Sequence, residues 1–419
     1  MPSIAKTTAK QFVISALLWS LVLFFPSNLF LTLTEETAFL GGLRVDYLIP
    51  KLYLSQVLIW LGVAVSLIFK KKQSVLGSVR KPIAAWLLII LATIIARQFF
   101  TTQPISSLWF VFQVLTNLAL AWLIMLHRQL LKKEAFYWAI FASLILQVVL
   151  AVFQFTQQKP LLPYYLMGEP RFEPYFRMSR HIFGGGERIL AYGSTPHPNI
   201  LAGVCTIFSL VLLAKAAKEK TWLASLRSAL ALAATAAVLH MTQSFSALIT
   251  LLLGISALAL SRSKKVREIF TVKLGLFVLL GLAVLVPIFI SQQARVFPQE
   301  PSLTRRAQLN QVAWKMFQDN PIWGVGLNQF TIQLEKYGST SDISRFVQPA
   351  HHIGLLALAE TGLMGAVALA LILKKTSRKN QLVLSLLVIS PLLFLDHYLY
   401  TLQIGQLLMI ISIGSIEGF

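Results

Sequence analysis

The chain has 419 residues, of which 56% are hydrophobic and 13% are charged, and its mean hydropathy is +0.70. A soluble domain of this size carries about a quarter charged residues, so the composition excludes an ordinary soluble globular protein. The formal net charge is +21, but the basic residues stand in short clusters between apolar runs. That pattern is typical of a membrane protein, and nucleic acid is not an expected partner.

Apolar runs long enough to cross a membrane recur along the whole sequence. They are continuous and do not alternate with polar residues, so we expect an all-α polytopic membrane protein and not a β-barrel. The first run lacks a signal-peptide cleavage site, and we interpret it as a retained helix. Twelve spans are predicted, at residues 12–32, 52–69, 82–97, 107–126, 135–155, 198–214, 222–240, 243–260, 270–290, 350–373, 381–395 and 397–414.

Lysine and arginine predict the orientation of these spans. With the N-terminus inside, most of the 37 basic residues fall on the inner side, whereas short outer loops hold only Arg44, Lys51 and Arg97. The positive-inside rule therefore predicts that both termini are cytoplasmic. The single cysteine, Cys205, lies in an apolar run, so no internal disulfide is expected.

Two long segments, 156–197 and 291–349, lie between predicted spans on the outer side. Loops of this length are usually functional or disordered. These two contain aromatic residues and no low-complexity sequence, so we expect them to fold against the membrane surface. No repeat and no cut point divides the chain, and residues 1–419 are interpreted as a single membrane domain.

The strongest candidates for chemistry begin the predicted tenth span. His351 and His352 lie at the outer end of this helix, where the dipole keeps an imidazole neutral and able to accept a proton. These histidines indicate a general base. The alternative is that the two histidines only cap the helix. The two histidines are consecutive and not four residues apart, so they do not form a helical metal-binding pair. We expect no metal and no other cofactor.

Arginines suggest a phosphorylated substrate. Arg305 and Arg306 are adjacent on a predicted helix, so their side chains point about 100° apart and one of them is expected to face a ligand. A guanidinium stays charged and binds phosphate through two hydrogen bonds. The alternative is that these arginines only contact solvent or lipid headgroups. The other long loop adds four arginines: Arg171, Arg177, Arg180 and Arg188. Together they predict a cationic face for an acidic glycolipid.

Further polar residues stand near the outer ends of other spans. The segment AYGSTPHPN leads into the sixth span and brings His197 and Asn199 to the membrane surface, where Asn199 alternatively caps the helix. Asp396 and His397 lie at the outer junction of the last two spans. Glu360 lies inside the tenth span, about 180° around the helix from the histidines, so we expect it to brace another helix.

Four segments resemble the O-antigen ligase and O-antigen polymerase superfamily of bacterial surface polysaccharide assembly. They are YGSTPHPNILAG (192–203), RRAQLNQVAWKMFQDNPIWGVGLNQF (305–330), AHHIGLLALAETGLMG (350–365) and FLDHYLYTLQIGQLL (394–408). The resemblance implies a metal-independent, inverting, membrane-embedded glycosyltransferase of the C type. Its partners would be membrane lipid, an undecaprenyl-diphosphate-linked glycan as donor, and a glycolipid or glycan acceptor such as lipid A–core. It would act in the bacterial inner membrane, with its active site on the periplasmic side.

The resemblance also implies roles for individual residues. His351 takes the position of the family's proposed catalytic base, and Arg306 takes that of its loop arginine. Seven residues are then expected to bind substrate: Arg305, Arg188, His352, His197, Asn199, Asp396 and His397. Where the family commonly has Ser-Arg, this chain has Ser244-Phe245. One cationic diphosphate contact is therefore missing, and Arg188 or another loop arginine is a candidate to replace it.

The motifs do not separate a ligase from a polymerase, because both use the same donor, and the length and broad pattern favour a ligase. A relative acting on teichoic-type or other wall polymers is a further alternative. The competing class is a transporter or flippase of lipid-linked glycans. That class predicts two related halves and ionisable groups near the middle of the membrane. Here the halves do not repeat, and the polar residues collect at the outer surface.

Overall fold

The computed structural model describes residues 2–68, 81–172, 178–260, 272–338, 347–375 and 379–415, so the predicted loop arginine Arg177 lies outside the described residues. The helices found there are α1 (Pro2–Phe24), α2 (Leu54–Ile68), α3 (Lys81–Arg97), α4 (Pro104–Leu126), α5 (Glu134–Gln157), α6 (Tyr164–Met167), α7 (Pro198–Glu219), α8 (Trp222–Thr242), α9 (Phe245–Leu260), α10 (Val272–Val296), α11 (Pro301–Asp319), α12 (Phe330–Tyr337), α13 (Ile353–Lys375), α14 (Lys379–Val388), α15 (Ser390–Leu395), α16 (Tyr398–Thr401) and α17 (Gln403–Ser415). Most of the described chain is thus helical, as the apolar runs predict.

Short strands occur where the sequence predicted only helix and loop. Within the described residues they form three antiparallel pairs: β1 (Phe30–Thr32) with β4 (Lys51–Tyr53), β2 (Phe39–Leu40) with β3 (Leu43–Arg44), and β5 (Arg180–Phe183) with β6 (Gly186–Ile189). These strands are confined to the connecting segments, and the described chain is otherwise mostly helical, as expected for an all-α membrane protein. The predicted first span, 12–32, is wrong at its end, because the helix stops at Phe24 and the chain continues into β1.

Six helices in the described part of the chain are long and apolar enough to cross a membrane: α4, α5, α7, α8, α10 and α13. Shorter apolar helices accompany them. A helical, multi-pass membrane protein is therefore confirmed. The number of twelve spans and the cytoplasmic position of both termini stay predictions.

The last two predicted spans are each broken. Residues 381–395 divide into α14 and α15, and Pro391 at the start of α15 explains the break, because proline cannot continue the preceding helical hydrogen-bonding pattern. Residues 397–414 divide into α16 and α17, separated by Leu402 in an extended conformation. The breaks leave Asp396 and His397 on an irregular segment between helices.

The helix α7 forms the centre of the bundle. Of its apolar window 83% is buried inside the protein, against 11% for α10, so α7 is surrounded by protein and α10 presents most of its surface outward. It packs against α5, α8, α9 and α17. Its first turn therefore lies deep within one end of the bundle, and this is the end at which the candidate site forms.

A kink divides α13 and receives the loop that follows α11. Gly362 has φ 59° and ψ −158°, which interrupts the helix. The loop lies along the interrupted backbone: the N–H of Val325 donates to the carbonyl of Ala359 (2.8 Å), and the N–H of Leu363 donates to the carbonyl of Pro321 (2.8 Å). Backbone groups that the kink would leave unpaired are satisfied in this way. The motif DNPIWGVG thus attaches α11 to α13.

Glu360 strengthens this attachment. Its carboxylate is buried and accepts hydrogen bonds from the N–H of Phe330 (3.2 Å) and from the hydroxyl of Tyr400 (2.9 Å). It therefore braces α12 and α16 against α13. A bracing role is the one the sequence analysis expected for this residue.

We predict that Gly324→Ala disrupts this attachment. Gly324 has φ +64°, and an added Cβ would lie 2.3 Å from the carbonyl carbon of Glu360, which is backbone and has no room to move aside. Strain of this kind costs about 1–3 kcal/mol. A clear fall in the apparent melting temperature of the detergent-solubilised protein is the expected result. Gly281→Ala is the matched control, because its Cβ would meet no atom within 4 Å; equal melting of the two variants would contradict the prediction.

Candidate functional site

Polar side chains from four distant parts of the chain meet at one end of the bundle. We call them the polar cluster: His197, Arg306, His351, Asp396 and His397. His197 precedes α7, Arg306 lies on α11, His351 precedes α13, and the last two lie between α15 and α16. The rings of His351 and His397 are in edge contact, with centroids 4.9 Å apart and planes at 82°. All five belong to the residues predicted from the sequence.

Burial and the charge of Arg306 keep the histidines of the cluster neutral. Burial is the main reason that the pKa of His397 falls to about 3. Burial is also the main cause that lowers the pKa of His351 and of His197. The positive charge of Arg306 lowers the pKa of all three further. At pH 7 the three rings are therefore uncharged and able to accept a proton.

His351 and His352 occupy different environments. The helix α13 begins at Ile353, so the predicted start of the tenth span at residue 350 is wrong by three residues. His352 caps it, since its Nδ1 accepts a hydrogen bond from the N–H of Leu355 (3.1 Å), and its ring stacks on Phe394. His351 stands ahead of the cap, and its buried Nδ1 has no hydrogen-bond partner within the described chain. Its Nδ1 thus makes no hydrogen bond that holds the described fold together.

Two buried glutamines of α5 shape the loop that leads to His197. The side-chain oxygen of Gln154 accepts hydrogen bonds from the N–H groups of Tyr192 (2.9 Å) and Gly193 (2.8 Å). The side-chain oxygen of Gln147 accepts one from the N–H of Ser194 (2.8 Å). These bonds satisfy backbone groups that a buried loop would otherwise leave unpaired. They fix the chain just before the polar cluster.

His197 itself begins α7. Its Nδ1 accepts a hydrogen bond from the N–H of Asn199 (3.1 Å), so the histidine and not Asn199 caps the helix, contrary to one alternative from the sequence. Its Nε2 bonds to the hydroxyl of Ser179 (3.2 Å). The residue is exposed at the surface, although the surrounding protein still lowers the pKa of its ring. The polar cluster is therefore open to solvent at His197.

Asp396 is held by two hydrogen-bond donors. The side-chain amide of Asn199 donates to both of its oxygens (3.3 and 3.2 Å), and the hydroxyl of Ser246 donates to one of them (3.0 Å). Burial raises the pKa of the Asp396 carboxyl, and Arg306 opposes that rise. Sequence reasoning missed Ser246. Its neighbour Phe245, which stands where the resemblance would place an arginine, is 68% exposed.

The other arginines divide into two groups. The charge of Arg305 also lowers the pKa of His351, and which of the two adjacent arginines faces a ligand stays a prediction. Arg188 lies on β6, where its guanidinium donates to the carbonyl of Phe155 (3.1 Å) and lies over that ring. Within the described part of the chain, no hydrogen bond or ring contact joins Arg188 to the cluster. Arg180 forms an ion pair with Glu187 in the same hairpin.

Tyr47 is a neighbour of the cluster that the sequence did not reveal. It lies in the one-turn helix Asp46–Leu48, and its ring meets that of His397 with centroids 5.3 Å apart and planes at 80°. A tyrosine in a short loop carries no spacing signal, so nothing in the sequence connects it with a histidine 350 positions away.

The chemical capacity of the cluster follows from its members. A neutral imidazole can take a proton from a hydroxyl group, and two guanidinium groups can stabilise a developing anion. Within the described residues no group of three or more His, Cys, Asp or Glu side chains is arranged to hold a metal ion.

Comparison with known families adds an independent observation. Residues 229–370 match the family model described as O-Antigen ligase. This stretch contains Arg306 and His351, whereas His197, Asp396 and His397 lie outside it. A comparison with curated proteins gives no match to the chain. The family match confirms the resemblance based on the sequence motifs.

Proposed function

Since the chain carries an O-antigen ligase family domain at residues 229–370, we propose that it transfers a glycan from an undecaprenyl-diphosphate donor to a hydroxyl group of lipid A–core or another surface acceptor. The observation that carries the proposal is the polar cluster, in which His351 has an Nδ1 without a hydrogen-bond partner within the described chain and its pKa is lowered by burial and by the charge of Arg306. Fold alone would not support a reaction, because related folds host different activities.

In the proposed reaction His351 is the general base. It takes the proton of the acceptor hydroxyl while the acceptor oxygen forms a bond to the anomeric carbon of the donor sugar. The bond from that carbon to the diphosphate oxygen breaks, and its electron pair leaves with the diphosphate. Attack from the face opposite to the leaving group inverts the configuration.

Arg306 and Arg305 are proposed to bind the diphosphate. Charge grows on the leaving group as its bond to the sugar breaks, and guanidinium groups already in place stabilise that charge without rearranging. His397 and His197 would line the substrate side of the cluster. His352 and Asn199 would act by position, since one caps α13 and the other holds Asp396. A direct substrate contact for Arg188 stays a prediction.

The orientation of α7 supports a site on the periplasmic side of the inner membrane. His197 lies at the first residue before this helix, whereas Lys215 and Lys218 lie near its other end, with Lys220 just beyond it. Basic residues favour the cytoplasmic side, so the polar cluster would lie on the opposite one. Twelve spans with both termini in the cytoplasm are consistent with that orientation.

The test is a transfer assay in detergent, without vesicles. Purified protein is mixed with undecaprenyl-diphosphate oligosaccharide and lipid A–core glycolipid, and products are identified by mass spectrometry. Glycosylated lipid A–core supports the ligase proposal. An extended lipid-linked oligosaccharide would replace it with a polymerase, and the absence of any product in detergent, together with translocation in vesicles, would replace it with a transporter.

The rate of transfer is expected to stay nearly constant as the pH falls from 8 to 6.5. The folded pKa of His351 lies well below 6.5 because of burial, the neighbouring His397 and Arg306, so the base is protonated only at lower pH. An unperturbed histidine would already be half protonated at pH 6.5. The check is kcat/KM for the donor measured across pH 4.5–8 at constant ionic strength. An acidic limb centred near 6.5 would contradict the prediction.

A further inference from the structure

The backbone around Tyr47 is fixed on both sides. Its neighbours Val45 and Leu48 are buried, and the hydroxyl of Thr37 donates to the carbonyl of Leu48 (2.8 Å). The carbonyl of Tyr47 accepts a hydrogen bond from the side-chain amide of Asn328 (3.0 Å), in the loop that follows α11. The first outer loop is thereby joined to the part of the chain that carries Arg306. The position of Tyr47 relative to the polar cluster is therefore set by the fold.

The side chain of Tyr47 is held at its ring and not at its hydroxyl. The ring packs against His397, and the residue is half-buried. Its hydroxyl has no hydrogen-bond partner among the described residues. It is also not one of the fully buried polar atoms, so part of its surface is accessible. By contrast, the hydroxyl of Tyr164 donates to the carbonyl of Asn28 (3.0 Å) and accepts from the N–H of Phe30. The Tyr47 hydroxyl is available to a ligand.

The surroundings of this hydroxyl indicate the chemistry of that ligand. Burial and the negative charges of Asp46 and Asp396 raise the pKa of Tyr47, so the phenol keeps its proton. The same carboxylates make an anion unfavourable there, whereas the arginines of α11 suit the diphosphate. A phenol can both donate and accept a hydrogen bond, as a sugar hydroxyl can. The position therefore suits an uncharged, hydroxyl-rich ligand.

We propose that Tyr47 binds a sugar hydroxyl of the acceptor and so places the reacting hydroxyl at His351. The ring of His397 contacts both Tyr47 and His351, with ring centroids 5.3 Å from Tyr47 and 4.9 Å from His351. An acceptor whose reacting hydroxyl meets His351 can then reach Tyr47 with another hydroxyl. This inference rests on the proposed function, and it assigns Tyr47 to substrate binding and not to proton transfer.

The test is the kinetics of Tyr47→Phe, with Tyr164→Phe as the matched control on the same side of the bundle. Initial rates are measured with either substrate varied, using the acceptor identified by the transfer assay. Losing one neutral hydrogen bond should raise the KM for acceptor about two- to tenfold. The KM for donor should stay within about twofold of wild type, and so should both constants of Tyr164→Phe. An unchanged KM for acceptor in Tyr47→Phe, or a rise confined to the donor, would overturn the inference.

A binding measurement separates this inference from the proposed function. Lipid A–core glycolipid is titrated onto wild-type protein and onto Tyr47→Phe in nanodiscs without donor. Weaker binding by Tyr47→Phe supports the inference, even if the wild-type protein proves unable to transfer a glycan. Equal binding by the two proteins, together with normal wild-type turnover, removes Tyr47 from the site and leaves the proposed function intact.

Discussion

His351→Ala is expected to lower kcat for transfer by about 10²- to 10⁴-fold, the usual range for loss of a general base. The remaining histidines of the cluster do not replace it, because the Nδ1 of His397 bonds to Thr401 and the Nδ1 of His197 caps α7. His351 has an uncommitted ring in the same cluster. Single-turnover rates in detergent at saturating donor and acceptor provide the measurement.

The control for this variant is His240→Ala. His240 is an exposed histidine on α8 whose ring contacts are with Phe155 and Phe183, outside the polar cluster. It should transfer at close to the wild-type rate. Both proteins should be monodisperse and melt near the wild-type temperature, because the Nδ1 of His351 has no hydrogen bond within the described chain to lose. Near-normal transfer by His351→Ala would remove the general-base proposal.

Arg306→Ala should lower kcat/KM for the donor by about 10²- to 10³-fold. Removing a preorganised group that stabilises developing charge typically has an effect of this size. Arg306 acts electrostatically on His197, His351, His397 and Asp396, so its charge lies at the centre of the proposed reaction. Arg306→Lys should recover only part of the loss, because an ammonium group keeps the charge but not the two-pronged contact with phosphate.

Arg295→Ala is the matched control for the loss of positive charge. Arg295 lies exposed in the last turn of α10, before the helix that carries Arg306. If general attraction of an acidic lipid explained the effect, both variants would lose a similar amount and added salt would abolish the difference. A specific diphosphate contact predicts a large loss for Arg306→Ala alone, at both low and high salt.

The sequence predicted the elements that depend on local apolar composition. Helices α5, α7 and α8 lie where continuous apolar runs of about 20 residues predicted them. His351 and Arg306 were singled out from the sequence because each lies in a motif whose neighbouring residues resemble those of a known family. The starts of the two helices were also predictable. Proline is tolerated in the first turn of a helix but not in its interior, and Pro301 and Pro349 stand shortly before Arg306 and His351.

Other features depend on contacts between distant parts of the chain. The kink at Gly362 is stabilised by a loop some 40 residues earlier, so the apolar run alone predicts an unbroken helix. The contact between His351 and His397 arises because α13 and the irregular segment before α16 meet in space. Ser246 escaped notice for the same reason, since a serine at the start of an apolar helix is common and its partner, Asp396, is 150 residues away.

Gln98 and Gln329 connect the turn between α3 and α4 to the loop that follows α11. The side-chain oxygen of Gln98 accepts from the N–H of Leu327 (2.9 Å), and the side-chain amide of Gln329 donates to Ser107 (2.8 Å). This loop lies within residues 229–370, the stretch that matches the family model. The N-terminal helices α3 and α4 therefore support a part of the family-matched stretch from outside it. An excised piece with those boundaries would lack the contacts that Gln98 and Ser107 make with the loop after α11.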